Sequence, residues 1–233
     1  MKPATPAVST KAEAIVLLSG GLDSATALYS ALKSGYRVTA LSFDYSQRHR
    51  VELLFAAQLA KKTDSRHLIL KLDSQIFSGS ALTDLSIPVP QNRAIDESIP
   101  VTYVPARNIL FLSHALALCE SIKAYDIFIG ANILDYSGYP DCRPDFFSAF
   151  EKVAELGTKA GVEGKKIRIQ APLIKLTKAE IIRLGMELGV DYSITSSCYQ
   201  PSSDGKPCMT CDSCILRAKG FAEAGLKDPL VFH

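Results

Sequence analysis

The stretch AIVLLSGGLDSATALYSALKSG, residues 14–35, decides the fold. Ala14 to Leu18 form an apolar run with β-branched Ile15 and Val16 inside it, which suits a buried strand. Gly20 and Gly21 interrupt the run. From Ser24 to Lys33 the apolar positions Ala27, Leu28, Ala31 and Leu32 recur at helical spacing, and Gly35 sits where a helix C-cap residue belongs.

The same alternation continues outward. Tyr36 to Phe43 reads as a second strand, HRVELLFAAQLAK (49–61) as an amphipathic helix, and His67 to Leu72 as a third strand. Alternation of this kind predicts parallel pairing, right-handed crossovers and helices on both faces of the sheet. Asp73 to Thr102 interrupts the rhythm with SIPVP and SIP and is expected to be a long loop or lid. A helix is then expected over 106–123, a strand over 126–131, a loop through 135–143, a helix over 144–157 and a strand over 167–171. Thr177 and Glu180 have capping-box spacing and open a further helix. After Asp191, Ser, Cys, Pro and Gly dominate up to Cys214, and a last helix runs to about Ala224. The expected architecture is α/β: a flexible tail over 1–12, a Rossmann-like five-stranded parallel sheet over 13–191, and a small C-terminal metal-binding module over 192–233.

With 233 residues, 47% hydrophobic and 21% charged, the chain can bury a core of its own and is not of disordered composition. Lys plus Arg number 26 against 24 Asp plus Glu, so the net charge of +2 gives no field of the kind that holds duplex nucleic acid, and small-molecule partners are expected. Residues 1–11 (MKPATPAVSTK) lack the apolar centre of a signal peptide, and no apolar run is long enough to cross a bilayer. The expectation is a cytoplasmic protein whose six cysteines are reduced, with no membrane partner.

Two constellations carry chemistry. The first is Ser19-Gly20-Gly21-Leu22-Asp23-Ser24 at a strand-to-helix junction, where backbone N–H groups and the helix dipole converge on an anion. No Lys follows these glycines, so the loop is not a Walker A motif. Asp23 repels phosphate, so either Mg²⁺ stands between them or Asp23 faces away and caps the helix; without a ligand, the hexapeptide is a Gly-rich turn with Asp23 or Ser24 as N-cap. The second is Cys198, Cys208, Cys211 and Cys214, spaced C-x9-C-x2-C-x2-C, a set suited to one tetrahedral ion. Zinc in such a site is closed and structural, and an iron–sulfur cluster could use the same four ligands.

The hexapeptide resembles the SGGxDS motif of the PP-loop ATP pyrophosphatase superfamily, whose fold is adenine nucleotide alpha hydrolase-like. The resemblance implies ATP, with Mg²⁺, embraced by Leu18, Ser19, Gly20, Gly21, Leu22, Asp23, Ser24, Ala25, Thr26, Ala27 and Leu28, and cleaved between its α- and β-phosphates. A second superfamily feature, PLxxLxKxE, is matched by residues 172–180; it implies that Lys178 brings a cation to the phosphates, where residue type alone allows a solvated helix-surface lysine. FDYSQRHR (43–50), VPARNILFLS (104–113) and DYSGYPDCRPDF (135–146), together with SIPVP and the four cysteines, are similar to the queuosine biosynthesis protein C family, the 7-cyano-7-deazaguanine synthases. The match runs from about Ala14 to Phe221, with small departures at Leu22 and at Ala106, where glycine is usual. The resemblance implies an ATP-dependent carbon–nitrogen ligase that converts 7-carboxy-7-deazaguanine and ammonia, through an amide, to the nitrile 7-cyano-7-deazaguanine (preQ0) for queuosine. A homodimer with one structural Zn²⁺ is expected.

Within those segments the residue readings divide. Asp44, at the carboxyl end of the second strand, binds nucleotide or metal, or makes a turn. Gln47, Arg48 and His49 read as a solvated basic face. Arg107 opposes the macrodipole at a helix start and is better explained by an anion, either substrate carboxylate or ATP phosphate; Asn108 orients that anion or closes the turn. Catalysis is assigned to Asp23, Lys178 and Arg107. Asp135, Tyr139, Asp141 and Arg143 are expected to contact the deazaguanine, with Asp141 reading its N–H edge, against a turn built on Gly138, Pro140 and Pro144. Cys119 reads as a core residue of its apolar helix, Cys142 lacks metal-ligand spacing, and His114 reads as a satisfied core or surface histidine rather than a base. Rival readings are a tRNA-thiolating enzyme of the same superfamily and a non-catalytic nucleotide or zinc interaction module.

Overall fold

A computed structural model describes residues 11–92, 98–134, 139–202 and 205–231. In chain order it contains β1 (Glu13–Leu17), α1 (Leu22–Lys33), β2 (Arg37–Asp44), α2 (Glu52–Lys62), β3 (Arg66–Lys71), α3 (Arg107–Ile122), β4 (Asp126–Phe128), α4 (Pro144–Gly157), α5 (Lys159–Val162), β5 (Arg168–Gln170), α6 (Lys178–Leu188) and α7 (Asp212–Ala224). The strands form one sheet in the order β3-β2-β1-β4-β5. Every pairing is parallel, with Ile15 opposite Thr39 on one side and Ile127 on the other.

Alternation along β1 splits the core between two faces. Ile15 and Leu17 pack with Leu41, Leu112, Ala115 and Ile127. Ala14 and Val16 pack with Leu28, Leu59, Ile181 and Ile182. The order reverses between β1 and β4, because β1 continues through α1 to β2 on one side while β4 lies on the other. The carboxyl ends of the strands at that reversal are where open parallel sheets bind ligands.

The C-terminal segment shares the second core. Tyr192 stands edge-on to Phe221 with ring centres 5.7 Å apart, and its hydroxyl lies 2.8 Å from Thr26 Oγ1. Gly185 makes room for that ring, since a Cβ there would come within 1.8 Å of the Tyr192 hydroxyl. Arg217, buried on α7, grips Asp228 through two bonds of 2.6 and 2.8 Å and donates to the Tyr192 and Thr195 carbonyls. The guanidinium therefore fixes residues 192–195 against α7.

Differences from the sequence expectation have local causes. The strand expected to reach residue 131 stops at Phe128, because the chain at Gly130 runs against the backbone of Asp23, where a Cβ would lie 2.7 Å from its carbonyl carbon. The helix expected from His49 begins at Glu52, since Gln47, Arg48 and His49 point their side chains into the protein. Short α5 was not anticipated; the Thr158 hydroxyl caps it by accepting from the Gly161 amide. The interruption after β3 is packed down onto the body, with Phe77, Leu82 and Val89 buried and Arg48 donating to the carbonyls of Ala81, Asp84 and Ile87.

Ala106 precedes α3 with φ 54°, in the left-handed region. A Cβ there costs about 1 kcal/mol or more, which glycine avoids. Ala106→Gly is expected to raise the denaturant midpoint by the equivalent of about 1 kcal/mol with an unchanged slope; an unchanged or lower midpoint would show that the left-handed turn carries no strain.

Candidate active site

A cleft opens over the carboxyl ends of β1, β2 and β4, and the segments singled out in the sequence converge on it. Its floor is the turn from Leu18 to Gly21. Gly20 has φ +91°, and a Cβ there would fall 2.2 Å from the Glu52 carbonyl oxygen, so the turn lies directly on the first turn of α2. The Ser24 hydroxyl closes the turn by donating to the Gly21 carbonyl at 3.0 Å and accepting from the Ser19 and Gly20 amides at 3.2 Å. The Leu22 amide donates to the Ser197 hydroxyl, and the Ser196 amide to the Gly20 carbonyl. Small hydroxyls therefore occupy a concave row of amide donors at the positive end of α1, a geometry suited to an oxyanion.

Leu18, Ser19, Gly21, Leu22, Asp23 and Ser24 line the cleft. Gly20 lies beneath it. Ala25, Thr26, Ala27 and Leu28, expected to surround nucleotide, are core residues of α1 instead, and Thr26 bonds inward to the Leu22 carbonyl. Gly21 is the N-cap of α1 and no side chain caps the helix, which answers the capping alternative for Asp23 and Ser24. Asp23 is held by Lys178, whose ammonium reaches both carboxylate oxygens at 2.7 and 2.8 Å. Lys178 is 9% exposed and opens α6 behind the Thr177–Glu180 capping box. Its stem lies on Gly220, where a Cβ would come within 2.3 Å of Lys178 Cγ. It is not a solvated surface lysine.

On the opposite wall, Phe43 and Phe111 stack at 3.9 Å and 3°. Arg107 lies over Phe111 at 5.9 Å. Burial disfavours its charge, but Tyr45, Asp141, Tyr139 and Cys142 around it favour that charge more, and the balance holds the guanidinium ionised. Burial pushes Tyr45 up to about 12 and the Cys142 thiol up to about 12, so both stay neutral. Tyr139 also lines the cleft, with its hydroxyl 3.1 Å from Thr102 Oγ1.

Several expected contacts are relocated by the structure. Asp141 does not line the cleft: its Oδ2 accepts from the Asn108 amide at 3.0 Å and its carbonyl accepts from Asn108 Nδ2. It thus braces the start of α3, and Asn108 lines the cleft held in place by it. Arg143 is exposed before α4 and away from the cleft. Asp44 is buried, accepts from Arg50 at 2.6 Å and from the Ser46 amide, and makes the turn that follows β2. Asp135 lies outside the described residues.

The QRH segment is inside rather than solvated. Gln47 is buried, accepting from the Tyr45 amide and donating to Glu52 Oε1 at 3.2 Å. His49 and Glu52 both line the cleft, with His49 Nε2 3.3 Å from Glu52 Oε2. Ser196, Ser197 and Asn132 also line it and carried no sequence signal. Asn132 ties the β4 loop to the segment before α6 by donating to the Leu173 and Leu176 carbonyls.

Beside the cleft, the ligand sulfurs of Cys198, Cys208, Cys211 and Cys214 lie within 4.8 Å of one another. Tetrahedral zinc with bonds of about 2.3 Å needs sulfurs roughly 3.8 Å apart, so the set fits after a small contraction. Hydrogen bonds from Cys198 and Cys214 pull the Cys211 thiol far below its ordinary range, and the same contacts push Cys198 and Cys214 up. Four sulfurs so close cannot all ionise without a counter-ion, and a bound metal ion supplies one.

Among the described residues, no helix is long and apolar enough to cross a membrane. The family model described as queuosine biosynthesis protein QueC matches residues 13–225. Curated relatives include the 7-cyano-7-deazaguanine synthase of Hydrogenovibrio crunogenus, 56% identical over 94% of this chain and 95% of that one, and that of Stutzerimonas stutzeri, 58% identical over 93% and 96%. Among solved structures, the fold is similar to an NMN synthetase from Francisella tularensis, with TM-score 0.50 and 16% identity over 94% of this chain and 79% of that one. It is also similar to a 4-thiouridine synthetase in complex with RNA and bound ATP, with TM-score 0.50 and 19% identity over 91% and 53%. With a family model over nearly the whole chain and relatives above half identity, the chain belongs to the queuosine biosynthesis protein QueC family.

Proposed function

We propose that this chain is an ATP-dependent carbon–nitrogen ligase that converts 7-carboxy-7-deazaguanine and ammonia to 7-cyano-7-deazaguanine in a reducing, cytoplasmic compartment. The observation that carries the reading is the meeting, in one cleft, of the Ser19–Ser24 turn, the Asp23–Lys178 pair and Arg107. Membership of a family whose relatives are named for this product supports it.

A carboxylate resists attack by ammonia because its leaving group would be oxide. Transfer of AMP to the carboxylate oxygen, with release of pyrophosphate, replaces oxide by a good leaving group. Ammonia then forms the C–N bond as AMP departs. Repeating the transfer on the amide oxygen lets that oxygen leave on a second AMP as the nitrile forms, so one site serves both activations. In this account the amides of the turn receive phosphate oxygens in place of the serine hydroxyls that now accept from them. Lys178 neutralises the charge that develops as pyrophosphate leaves. Mg²⁺ on the triphosphate would let Asp23 face it without repulsion. Arg107 holds the substrate carboxylate over the Phe43–Phe111 wall. Zinc at the four cysteines would be coordinatively closed, and its part is to hold Ser196 and Ser197 over the turn.

Incubation with the carboxylic acid, ATP, Mg²⁺ and ammonium is expected to yield AMP, pyrophosphate and the nitrile by mass spectrometry. AMP formation only in the presence of tRNA would replace this reading with thiolation. Asp23→Asn and Lys178→Met are each expected to lower kcat/KM by about a hundredfold or more, with zinc content unchanged. Because the two groups bond each other, the double variant should lose much less than the product of the single losses; independent losses would contradict the shared role. Cys211→Ser is expected to release the metal and lower the melting temperature, measured by metal analysis and calorimetry. A metal-free variant with wild-type stability and turnover would remove the structural role.

A further inference from the structure

We propose that Glu52 binds the N–H edge of the substrate base and so makes the cleft specific for a guanine-type carboxylic acid. The inference deepens the ligase reading above and rests on it. The acid carries its carboxyl at one end and two adjacent donors, the ring N1–H and the 2-amino group, at the other. A carboxylate only accepts, so it suits neighbouring donors. The corresponding edge of adenine sets one donor beside a bare nitrogen lone pair, which a carboxylate repels.

Among the described residues that line the cleft, the carboxylates are Asp23 and Glu52. Lys178 bonds both oxygens of Asp23. Asp141, the base contact expected from the sequence, is taken up by the Asn108 amide. Glu52 is placed differently. Its side chain is buried apart from 11% of its surface, and Gln47 Nε2 donates to its Oε1 at 3.2 Å. The Gln47 amide is itself locked, since it accepts from the Tyr45 amide and donates to the Phe43 carbonyl. Among the described residues no hydrogen bond reaches Oε2; His49 Nε2 stands 3.3 Å from it, outside hydrogen-bonding geometry. Nor is Oε2 one of the described side-chain atoms shut off from solvent without a partner. The carboxylate is therefore held still by one oxygen while the other keeps its accepting capacity, and a buried acceptor in that state favours an incoming donor.

The wall between Glu52 and Arg107 suits the rest of the molecule. Phe43 and Phe111 stack at 3.9 Å, the Tyr45 ring lies 5.5 Å from Phe111, and all three line the cleft. Arg107 lies over Phe111 and donates to the Tyr45 phenol, which is also within electrostatic reach of Glu52. A flat bicyclic base on these rings meets Arg107 with its carboxylate and Glu52 with its opposite edge. Gly20 lies on the Glu52 carbonyl, so this contact is registered to the same turn that seats the phosphates.

The test compares wild type and Glu52→Gln on two substrates, the parent acid and its analogue lacking the 2-amino group, by AMP release at saturating ATP and ammonium. Gln47 still requires an acceptor at Oε1, so the new amide turns its NH₂ toward the base, donor against donor. Wild type should lose about tenfold or more in kcat/KM when the 2-amino group is absent. Glu52→Gln should lose about as much on the parent acid and then treat the two acids alike within about twofold, with an unchanged KM for ATP. A carboxylate that served only the fold would lower both acids equally and leave the wild-type preference intact, which would overturn the assignment. A higher KM for ATP with an unmoved KM for the acid would place Glu52 on adenine and overturn it as well. Should Glu52→Gln not fold, Glu52→Asp, which withdraws the charge by one methylene, answers through the same ratio: a narrowed preference supports the assignment and an undiminished one refutes it. Wild-type protein that uses both acids equally would remove this inference alone; wild-type protein that makes no AMP from the parent acid would remove the ligase reading, and this inference with it.

Discussion

The structure depends on two places where backbone meets backbone without a side chain between them. At Gly20 the turn after β1 rests on the first turn of α2, and at Gly130 the end of β4 rests on the start of α1; a Cβ at either would lie within 3 Å of a main-chain atom. These contacts bring the carboxyl ends of two neighbouring strands and the N-terminus of α1 into one concavity. They also explain why β4 is short, since the chain must leave the sheet to make the second contact. An alanine at either position would separate the turn from its support by shifting main chain, which a close-packed interior tolerates poorly.

Charge is arranged on that frame in matched sets. Lys178 and Asp23 neutralise each other at the mouth of the turn, so the site is not a bare field of one sign. Arg217 and Asp228 do similar work deeper down, where an unpaired charge would be strongly destabilising. Through the carbonyls of Tyr192 and Thr195, Arg217 also steadies the segment leading to Ser196 and Ser197, which hold the turn from above. The four-cysteine cluster, the C-terminal helix and the Ser19–Ser24 turn are thus mechanically one unit, although they are far apart in sequence.

Much of this is legible in the sequence. The apolar run, the glycine pair and helical spacing over 14–35 place the turn, Thr177 and Glu180 place the start of α6, and the cysteine spacing places the four-sulfur cluster, because each signal is local. What only the fold reveals is equally physical. Asp141 and Asp44 look like free carboxylates in loops, yet each is consumed by a backbone amide or an arginine that only the fold brings near. Gln47 and His49 look solvated because they sit among charged residues, but they turn inward at the end of β2. Ser197 had no signal at all, since its partner, the Leu22 amide, is 175 positions away.

The central claim is that the Ser19–Ser24 turn, released from its serine hydroxyls, receives the triphosphate beside Lys178. A crystal structure with a non-hydrolysable ATP analogue and Mg²⁺ tests it most directly. The account predicts phosphate oxygens on the amides of that turn, with the Lys178 ammonium on the same phosphates and the α-phosphorus open toward Arg107. A triphosphate bound elsewhere, with the turn still closed by Ser24, would contradict it.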